Sequence, residues 1–350
     1  MESINVDVKL SYIAGLREVV INEVKRSIGL PILREGADSV FISYVQDFGA
    51  IKALRSVARA YLTITSKKYN PGYVSRHKSL LAKLIIPVIS GNKASFRTFK
   101  LICAGSSSPE VRSIARYIAE TYGLFERDDA DLKVHLIKLG DNWELGAQIT
   151  PRPLSLRQYK LRNMGGAMDP TIAYSLNSLC GLERAHSYLN VFSGSATLLI
   201  EAAECFPHLE KLIGFDNQKN HISLAIQNIK QAGLIKKITL LERDLREKPD
   251  LGKFDVITSD LPFGMAISKG EDLEKLYALF VDYSQIALNR NGVIAVYTNA
   301  HEIFERCLAK SHFKVVMALK LKLMTAANAY ITPMIFVCRI PTQKGGYGGA

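Results

Sequence analysis

The segment Phe254-Asp255-Val256-Ile257-Thr258-Ser259-Asp260-Leu261-Pro262-Phe263-Gly264-Met265 joins a short apolar run to an acid, a proline, an aromatic residue and a glycine. The apolar run predicts a buried parallel strand, which places the acid at the strand's carboxyl end. In open α/β sheets, ligands bind at that edge. The candidate active-site residues are therefore Asp260, Leu261, Pro262, Phe263 and Gly264.

These residue types suit chemistry on an exocyclic amino group of a ring. The Asp260 carboxylate accepts a hydrogen bond from the amino N–H and holds the nitrogen in line for reaction. Pro262 is rigid, so the carbonyl groups of Leu261 and Pro262 are aimed at the same amine. Phe263 stacks on a base turned out of its helix, and Gly264 leaves room for that base. In the alternative interpretation the segment is a strand followed by a loop, in which Phe263 simply packs.

The residues around this segment alternate between strand and helix patterns, which predicts a Rossmann-like, doubly wound α/β sheet. The predicted strands are Tyr188–Phe192, Lys211–Phe215, Ile238–Leu241, Phe254–Ser259 and Gly292–Thr298, closed by an antiparallel pair at Phe313–Leu321 and Pro333–Arg339. The predicted helices are Ser195–Cys205, Lys219–Ala232 and Leu273–Leu288. The glycine-rich tail at 342–350 is expected to be disordered.

A second set of residues at the same sheet edge predicts a nucleoside-containing cofactor. Small residues link the first strand to its helix and let backbone approach a ligand; the candidates are Phe192, Ser193, Gly194, Ser195, Ala196 and Thr197. Asp216, with Asn217 beside it, ends the second strand and suits two ribose hydroxyls. Asp244, followed by Leu245, ends the third and suits an adenine amino group. Each piece alone also fits packing or a helix cap, so the prediction rests on their order.

The N-terminal half predicts two smaller α+β regions. Alternation over 4–12 and Val40–Tyr44 indicates strands, and helical spacing indicates helices at Leu16–Ile28 and Ile51–Ala60. Further on, Phe96–Ala104 predicts a strand, and Ser108 and Pro109 begin a helix that runs to Tyr122. A strand pair, Val134–Leu139 and Trp143–Ile149, completes that region.

Positive charge is concentrated in the same half of the chain. The net charge is +12, and residues 51–100 contain eleven Lys or Arg and no Asp or Glu. Another stretch without acids runs over 145–168. Localised positive charge attracts a polyanion, and nucleic acid is favoured over acidic lipid because no amphipathic anchor accompanies it. The candidate RNA contacts are Arg97, Lys100, Arg112, Arg152, Arg157 and Lys160. A solvated basic face is the alternative.

Composition argues against a membrane protein, a disulfide-rich protein and a metal-binding protein. Hydrophobic residues make up 48% of the chain, which is typical of a globular protein, and no apolar stretch approaches membrane-spanning length. The five cysteines and seven histidines are dispersed, which argues against a disulfide framework and against a metal site. We expect a monomer in the reducing cytoplasm, with no membrane or metal partner.

Several segments resemble those of known tRNA-modifying proteins. Residues 96–100 (Phe-Arg-Thr-Phe-Lys), 107–112 (Ser-Ser-Pro-Glu-Val-Arg), 130–134 (Ala-Asp-Leu-Lys-Val) and 154–162 resemble a THUMP domain and the arm after it, and 54–61 resembles the ferredoxin-like segment before THUMP. The order of Gly194, Asp216, Asp244 and the 260–264 segment resembles class I S-adenosylmethionine-dependent methyltransferases. The implied domains are 1–66 ferredoxin-like, 67–150 THUMP, 151–166 arm and 167–341 methyltransferase.

The resemblance implies an enzyme of the THUMP-containing tRNA (guanine-N2-)methyltransferase family. It implies S-adenosylmethionine as the cofactor and the acceptor end of tRNA as the partner. The residues implied to hold the cofactor are Asn190, the 192–197 loop, Asp216, Asn217, Asp244, Leu245 and Asp260. The implied target is the guanosine at position 6 of the acceptor stem. Two alternatives remain open, a ribosomal-RNA guanine-N2 methyltransferase and a tRNA-binding protein with a degraded cofactor site.

The chain departs from the methyltransferase pattern at two positions. Asn190 stands where an acid usually opens the cofactor loop, and Ala196 replaces the usual second glycine. Asn190 can still accept hydrogen bonds through its side-chain oxygen, although it carries no charge. We expect Ala196 to occupy a helical position that does not require a positive φ.

Overall fold

The computed structural model describes residues 5–66, 74–92, 96–104, 108–161, 166–263, 272–326 and 329–341. The predicted tail at 342–350 and Gly264 lie outside these ranges. The chain divides into an N-terminal unit, Met1–Tyr12 with Val20–Leu156, and a C-terminal unit, Ile13–Val19 with Arg157–Ala350. Within the described ranges, no helix is long and apolar enough to cross a membrane.

The N-terminal unit is built on one mixed sheet with the order β2-β3-β1-β4-β8-β7-β5-β6. Its strands are β1 (Asp7–Ser11), β2 (Arg34–Glu35), β3 (Ser39–Ser43), β4 (Arg59–Ser66), β5 (Thr98–Cys103), β6 (Phe125–Glu126), β7 (Leu132–Leu139) and β8 (Asn142–Gln148). Its helices are α1 (Arg17–Ser27), α2 (Gly49–Lys52), α3 (Val74–Ser90) and α4 (Pro109–Tyr122).

This sheet joins the two regions that the sequence separates near residue 66. Strand β4 pairs antiparallel with β8, so that Tyr61 lies opposite Gln148 and Ser66 lies opposite Trp143. Buried apolar residues from both regions form a single cluster, which extends from Val8 to Ile149. The boundary at 66 therefore marks a change of sequence pattern and not a break in the sheet or its core.

The predicted start and end of α4 are confirmed. The Ser108 hydroxyl accepts a hydrogen bond from the backbone N–H of Val111 at 3.3 Å, and Pro109 occupies the first helical position. Gly123 ends the helix with a φ of 64°, a left-handed conformation that glycine adopts without strain. Local capping chemistry therefore fixes both ends of this helix.

The predicted helix over Ile51–Ala60 is wrong beyond its first turn. Only Gly49–Lys52 is helical, and strand β4 already begins at Arg59. The buried carboxylate of Glu23 accepts hydrogen bonds from the backbone N–H groups of Arg55 and Ser56 at 2.8 and 2.9 Å, and also from the Ser56 hydroxyl. These bonds satisfy the backbone outside a helix, so a distant side chain overrides the local periodicity.

The C-terminal unit contains a seven-stranded sheet with the order β11-β10-β9-β12-β13-β17-β14, which confirms the predicted doubly wound fold. Its strands are β9 (Ser187–Val191), β10 (Lys211–Asp216), β11 (Ile238–Glu242), β12 (Phe254–Asp260), β13 (Leu288–Thr298), β14 (Lys314–Lys320) and β17 (Met334–Arg339), with a separate hairpin of β15 (Leu323–Ala326) and β16 (Ala329–Ile331). Its helices are α5 (Pro170–Leu179), α6 (Thr197–Cys205), α7 (Lys219–Gln231), α8 (Leu273–Ala287) and α9 (His301–Ala309).

Strand direction places the predicted site residues at one edge of this sheet. Strands β9 to β13 are mutually parallel. Strand β17 is antiparallel to both β13 and β14, which confirms the antiparallel pair predicted at the end of the sheet. At the opposite edge, the Asp255 carboxylate accepts hydrogen bonds from the backbone N–H groups of His186 and Ser187 and from the Asn289 amide. These contacts fix the register of β12 against β9 and β13, and the ends of β9, β10 and β12 lie together on the other side.

The contacts of Glu23 give a prediction for stability. Replacing Glu23 with Ala leaves two backbone N–H groups and a hydroxyl without their acceptor, so the free energy of unfolding should fall by about 2–3 kcal/mol. Glu18→Ala on the same helix is the matched control, because Glu18 is 68% exposed and pairs with Arg17 at the surface. Chemical denaturation measures both. Equal losses in the two variants would show that the Glu23 contacts contribute nothing specific.

Candidate active site

The loop between β9 and α6 has an unusual backbone. Phe192, Gly194 and Ala196 have φ angles of 57°, 51° and 62°, so alternate residues are left-handed. The expectation that Ala196 avoids a positive φ is therefore wrong. The turn is tight, because Ala196 N donates to Ser193 O at 2.8 Å and its own carbonyl already accepts the first bond of α6. For an alanine this conformation costs about 1–2 kcal/mol, and such strain concentrates at functional sites.

A glycine on the neighbouring strand lets this loop pack closely. A side chain at Gly214 on β10 would place its Cβ 2.4 Å from both the Ser193 hydroxyl and a methyl group of Leu199. A larger residue at position 214 would therefore have to displace the side chains of Ser193 and Leu199. The sequence analysis missed this residue, although an isolated glycine inside a strand pattern often marks such a close approach.

Asp216 ends β10 and closes the loop from one side. Its Oδ2 atom accepts a hydrogen bond from Gly194 N at 3.0 Å, and Oδ1 accepts from Gln218 N at 3.0 Å and from His221 Nδ1 at 3.1 Å. A carboxylate offers about four acceptor positions, so these three contacts leave about one for a ligand, and the binding of two ribose hydroxyls by Asp216 stays a prediction. His221 was also missed, and its position in the first turn after the acid was the available signal.

The next carboxylate along the edge, that of Asp244, is held by polar neighbours. It accepts from Arg246 N at 2.8 Å and thereby caps the short helix Leu245–Glu247, and it also accepts from the Asn217 amide at 3.2 Å. Burial opposes ionisation, but these hydrogen bonds outweigh it and lower the pKa of Asp244. Asp244 is thus an ionised acceptor that also caps the short helix, and its contact with an adenine amino group stays a prediction.

A chain of buried polar groups lies beneath the loop. The amide of Asn190 donates to the carbonyl of Thr258 at 3.2 Å, the Thr258 hydroxyl donates to Tyr188 at 2.7 Å, and Tyr188 donates to Asn177 at 2.7 Å. All of these residues are at most 1% exposed. The same amide nitrogen lies 3.4 Å from the Val191 carbonyl oxygen, and because carbonyl oxygens only accept, the nitrogen and not the oxygen of the Asn190 amide faces them. The Asn190 Oδ1 atom has no hydrogen-bond partner among the residues that the structure describes.

Asp260 occupies the predicted position, the last residue of β12. Although the residue keeps some accessible surface, burial of its carboxylate raises the pKa of Asp260 to about 7, and the positive charge of Lys160 opposes this rise. Burial also lowers the pKa of Lys160, and the negative charges of Asp169, Asp260 and Glu201 only partly oppose this fall. A carboxyl group that titrates near neutral pH is suited to accept a proton there.

The residues after Asp260 are fixed by aromatic neighbours. Leu261 is fully buried, so its side chain belongs to the core, and its N–H donates to the Tyr297 carbonyl at 3.0 Å. The Pro262 carbonyl accepts a hydrogen bond from the Tyr277 hydroxyl at 2.6 Å, which takes up part of its capacity for an incoming amine. Phe263 is partly buried, with its ring tilted at 56° to Tyr297 and 5.5 Å away. Phe263 also packs against the apolar core of the C-terminal unit while part of its surface stays exposed, so packing and a contact to a ligand are both compatible with its position.

The six candidate RNA contacts fall into two groups. Arg97 and Arg152 are exposed, Lys100 pairs with Asp128 at 3.0 Å, and Arg112 makes two contacts with Glu126. Lys and Arg in such surface pairs remain accessible to a polyanion.

Arg157 and Lys160 do not belong to an exposed basic surface. The Arg157 side chain is 7% exposed and pairs with the fully buried Glu201 at 3.0 Å. The Lys160 ammonium donates to the Met168 carbonyl at 2.8 Å and lies near enough to Asp260 to influence its charge. The assignment of Arg157 as an RNA contact is corrected, because its side chain is buried in an ion pair, whereas Lys160 is half-buried and its assignment stays a prediction.

Comparison with known families matches residues 157–327 to the RMKL-like methyltransferase domain, UPF0020. The match covers just under half of the chain and is a similarity to that methyltransferase domain. S-adenosylmethionine is the methyl donor that the family and the fold imply. Among the described residues, no group of three His, Cys, Asp or Glu is placed to hold a metal ion.

Two curated relatives and one solved structure extend this comparison. The tRNA (guanine(6)-N2)-methyltransferase of Thermus thermophilus is 28% identical over 60% of this chain and 64% of its own length. The U6 snRNA (guanine-N(2))-methyltransferase THUMPD2 of Bos taurus is 29% identical over 51% of this chain and 37% of its own. The chain thus spans less than two thirds of either relative. The crystal structure of TrmN from Thermus thermophilus has the same fold, with a TM-score of 0.77 at 22% identity over 96% of this chain and 100% of that one.

The methyltransferase domain has residues that fit S-adenosylmethionine. The unpartnered Oδ1 of Asn190 is a buried acceptor that a ligand donor would satisfy, since unpaired buried polar atoms are costly. Asp216 retains about one acceptor position for a ribose hydroxyl. The left-handed turn at Gly194 leaves backbone accessible beside the N-terminus of α6. Asp216, the 192–197 loop and Asn190 are therefore the residues that would hold the cofactor.

The strain at Ala196 gives a second prediction. Ala196→Gly removes a left-handed alanine, so the free energy of unfolding should stay constant or rise by up to about 1 kcal/mol. Ala202→Gly is the matched control, because Ala202 is fully buried in the interior of α6, where glycine costs about 1 kcal/mol. Denaturant titration of both variants measures the difference. A loss at position 196 as large as that at position 202 would contradict the strained conformation.

The raised pKa of Asp260 gives a third prediction. The folded state binds this proton more tightly than the unfolded state, so ionisation of Asp260 destabilises the fold as pH rises from about 4 to about 7. Asp260→Asn should therefore be more stable than the parent at pH 8 by about 2–4 kcal/mol, and the advantage should shrink toward pH 4. Asp282→Asn, at an exposed position on α8, should show no such trend. A less stable Asp260→Asn variant at pH 8 would refute the assignment.

Proposed function

We propose that this protein methylates the exocyclic N2 amine of a guanosine in tRNA, at position 6 of the acceptor stem. The observation that carries the proposal is Asp260, a carboxylate titrating near neutral pH at the sheet edge that also holds Asp216 and the 192–197 loop. The relatives named for guanine-N2 methylation of tRNA and U6 snRNA support the choice of amine. The resemblance to THUMP proteins and the basic segment 51–100 support RNA as the substrate that contains this guanosine.

The mechanism follows from the positions of the chain's own groups. S-adenosylmethionine, when bound, supplies an electrophilic methyl group. Asp260 accepts a hydrogen bond from the amine, orients its nitrogen and takes up the proton that the nitrogen loses. Phe263, held against Tyr297, stacks on the base, and the Tyr277 hydroxyl holds the Pro262 carbonyl in place. Fixed geometry of this kind lowers the barrier by orienting the reactants before reaction.

The N-terminal unit is the proposed RNA-binding part. In this proposal residues 67–150 act as a THUMP domain and 1–66 as a ferredoxin-like support, within the single sheet that they share. The exposed Arg97 and Arg152, with Lys100 and Arg112 in surface pairs, are the proposed contacts to the phosphate backbone. Loss of such a contact should weaken binding at all sequences and reduce its dependence on salt.

Two other functions of the same fold remain as alternatives. A ribosomal-RNA guanine-N2 methyltransferase would use the same Asp260 chemistry on another RNA. A tRNA-binding protein without catalysis would require the cofactor site to be degraded, whereas Asp216 and the buried acceptor of Asn190 favour a working site.

One experiment separates these functions. The full chain is incubated with S-adenosylmethionine and, separately, with unmodified tRNA, ribosomal RNA and U6 snRNA, and the digested nucleosides are analysed by mass spectrometry. We expect N2-methylguanosine from tRNA, reduced at least a hundred-fold by Asp260→Asn and unchanged by the exposed control Asp282→Asn. Methylation of ribosomal RNA alone would select the first alternative. No methylation, with no heat of cofactor binding in calorimetry, would select the second.

The acid–base state of Asp260 gives a further prediction for this reaction. The rate at limiting RNA should rise with pH and level off above a midpoint near 7, because only the ionised carboxylate accepts the amine proton. Lys160→Met should move the midpoint to higher pH, since the Lys160 charge favours ionisation of Asp260. Rates of the parent and of Lys160→Met, measured from pH 5.5 to 9, test the midpoint and its displacement. A profile that is flat over this range would rule out Asp260 as the proton acceptor.

A further inference from the structure

The β15–β16 hairpin lies at the same edge of the sheet as Asp260. Because β17 is antiparallel to both β13 and β14, strand β14 runs parallel to β12 and ends at this edge. Its last residue, Lys320, pairs with Met334, which also pairs with Thr298 at the end of β13. Three strand spacings separate the ends of β12 and β14, or about 14 Å. The hairpin that follows β14 is therefore a neighbour of the active site.

One face of this hairpin exposes apolar surface that the fold does not use. Met324 and Tyr330 lie directly opposite each other across the two strands and are 70% and 52% exposed. The Lys322 ammonium lies 4.3 Å from the centre of the Tyr330 ring, so the same face carries a cation. Leu321 is buried and Leu323 packs against the core, which anchors the other face. The exposed aromatic ring thus stands on a supported strand pair.

The base of the hairpin is held rigidly. Leu321 N donates to the Pro333 carbonyl at 2.8 Å, and Lys322 N donates to the Ala14 carbonyl at 3.1 Å. Gly15 has a φ of 105°, and a Cβ there would lie 2.3 Å from the Lys320 carbonyl oxygen. Only glycine permits this close approach, which clamps the segment after β14. A preformed platform loses less conformational entropy when it binds a partner.

The charge of the surrounding sequence selects the kind of partner. Residues 306–350 contain seven Lys or Arg and no Asp or Glu. Lys320 ends β14 and Lys322 directly precedes the hairpin, so the two cations lie on either side of the buried Leu321. A stacking aromatic with adjacent cations and no acids is the combination that binds single-stranded nucleic acid, through base stacking and phosphate attraction.

We infer that the β15–β16 hairpin is an RNA-contacting platform, on which Tyr330 stacks against an unpaired base near the target nucleotide while Lys322 and Lys320 approach the phosphates. The inference rests on the proposed function only in taking RNA as the substrate. It adds a contact surface on the C-terminal unit to the basic surface of the N-terminal unit. The hairpin then helps to hold the target strand beside Asp260.

The test compares variants of the full chain in their affinity for a fluorescently labelled, unmodified tRNA at fixed salt. Tyr330→Ala should weaken binding about five- to fifty-fold, the usual effect of losing one stacked base, whereas Tyr330→Phe keeps the ring and should bind within two-fold of the parent. Lys322→Ala should lower the slope of log affinity against log salt by about one. Ile286→Ala, at a position 60% exposed on α8, is the matched surface control and should change nothing.

The outcomes separate this inference from the proposed function. Wild-type binding by Tyr330→Ala overturns the inference and leaves the proposed methylation intact. Weakened binding by Tyr330→Ala, in a protein that methylates no RNA, supports the platform while the proposed function fails. A parent protein that binds no tRNA overturns both. If sedimentation instead shows self-association that Tyr330→Ala abolishes, with RNA affinity unchanged, the hairpin contacts a second copy and the inference falls.

Discussion

The desolvated carboxylate of Asp260 is the constraint on which the account of the C-terminal unit depends. Parallel strands bring it to the edge where β9 and β10 also end, and the protein around it raises its pKa to about 7. A group of this kind destabilises the fold at neutral pH, and proteins keep such groups where chemistry uses them. The positive charge of Lys160, a residue of the arm, offsets part of this rise in pKa. Tyr277 and Tyr297 hold Pro262 and Phe263, the residues that follow Asp260 in the loop.

The departure at Asn190 from the usual pattern has a physical explanation in the buried polar chain, whereas nothing in the structure explains the one at Ala196. Asn190 must donate to the Thr258 carbonyl, which an aspartate at this position has no proton to do. The Thr258 hydroxyl donates to Tyr188, and the Tyr188 hydroxyl donates to Asn177. Among the described residues, one acceptor at the start of this chain, Asn190 Oδ1, has no hydrogen-bond partner. Ala196, in turn, keeps a left-handed turn that glycine would adopt without strain.

Local patterns predicted much of the sheet, because buried parallel strands give continuous apolar runs and the acid that follows each run marks the sheet edge. They failed where a residue distant in sequence decides the outcome. Glu23 satisfies backbone groups 32 and 33 residues away and prevents a helix there. Arg157 was taken as an RNA contact because its charge is visible in the sequence, while its buried partner Glu201, 44 residues further on, is not. Gly214 and His221 act through contacts of the same non-local kind.

The titration of the Asp260 carboxyl group tests the central claim most directly. In protein labelled with ¹³C at aspartate side chains, the Asp260 resonance is assigned by its loss in Asp260→Asn and followed from pH 3 to 9. We expect a midpoint near 7, because burial of the carboxylate has a larger effect on its pKa than the positive charge of Lys160. A midpoint near 4, the ordinary value for aspartate, would show a solvated carboxylate and would contradict its role as the proton acceptor of the site.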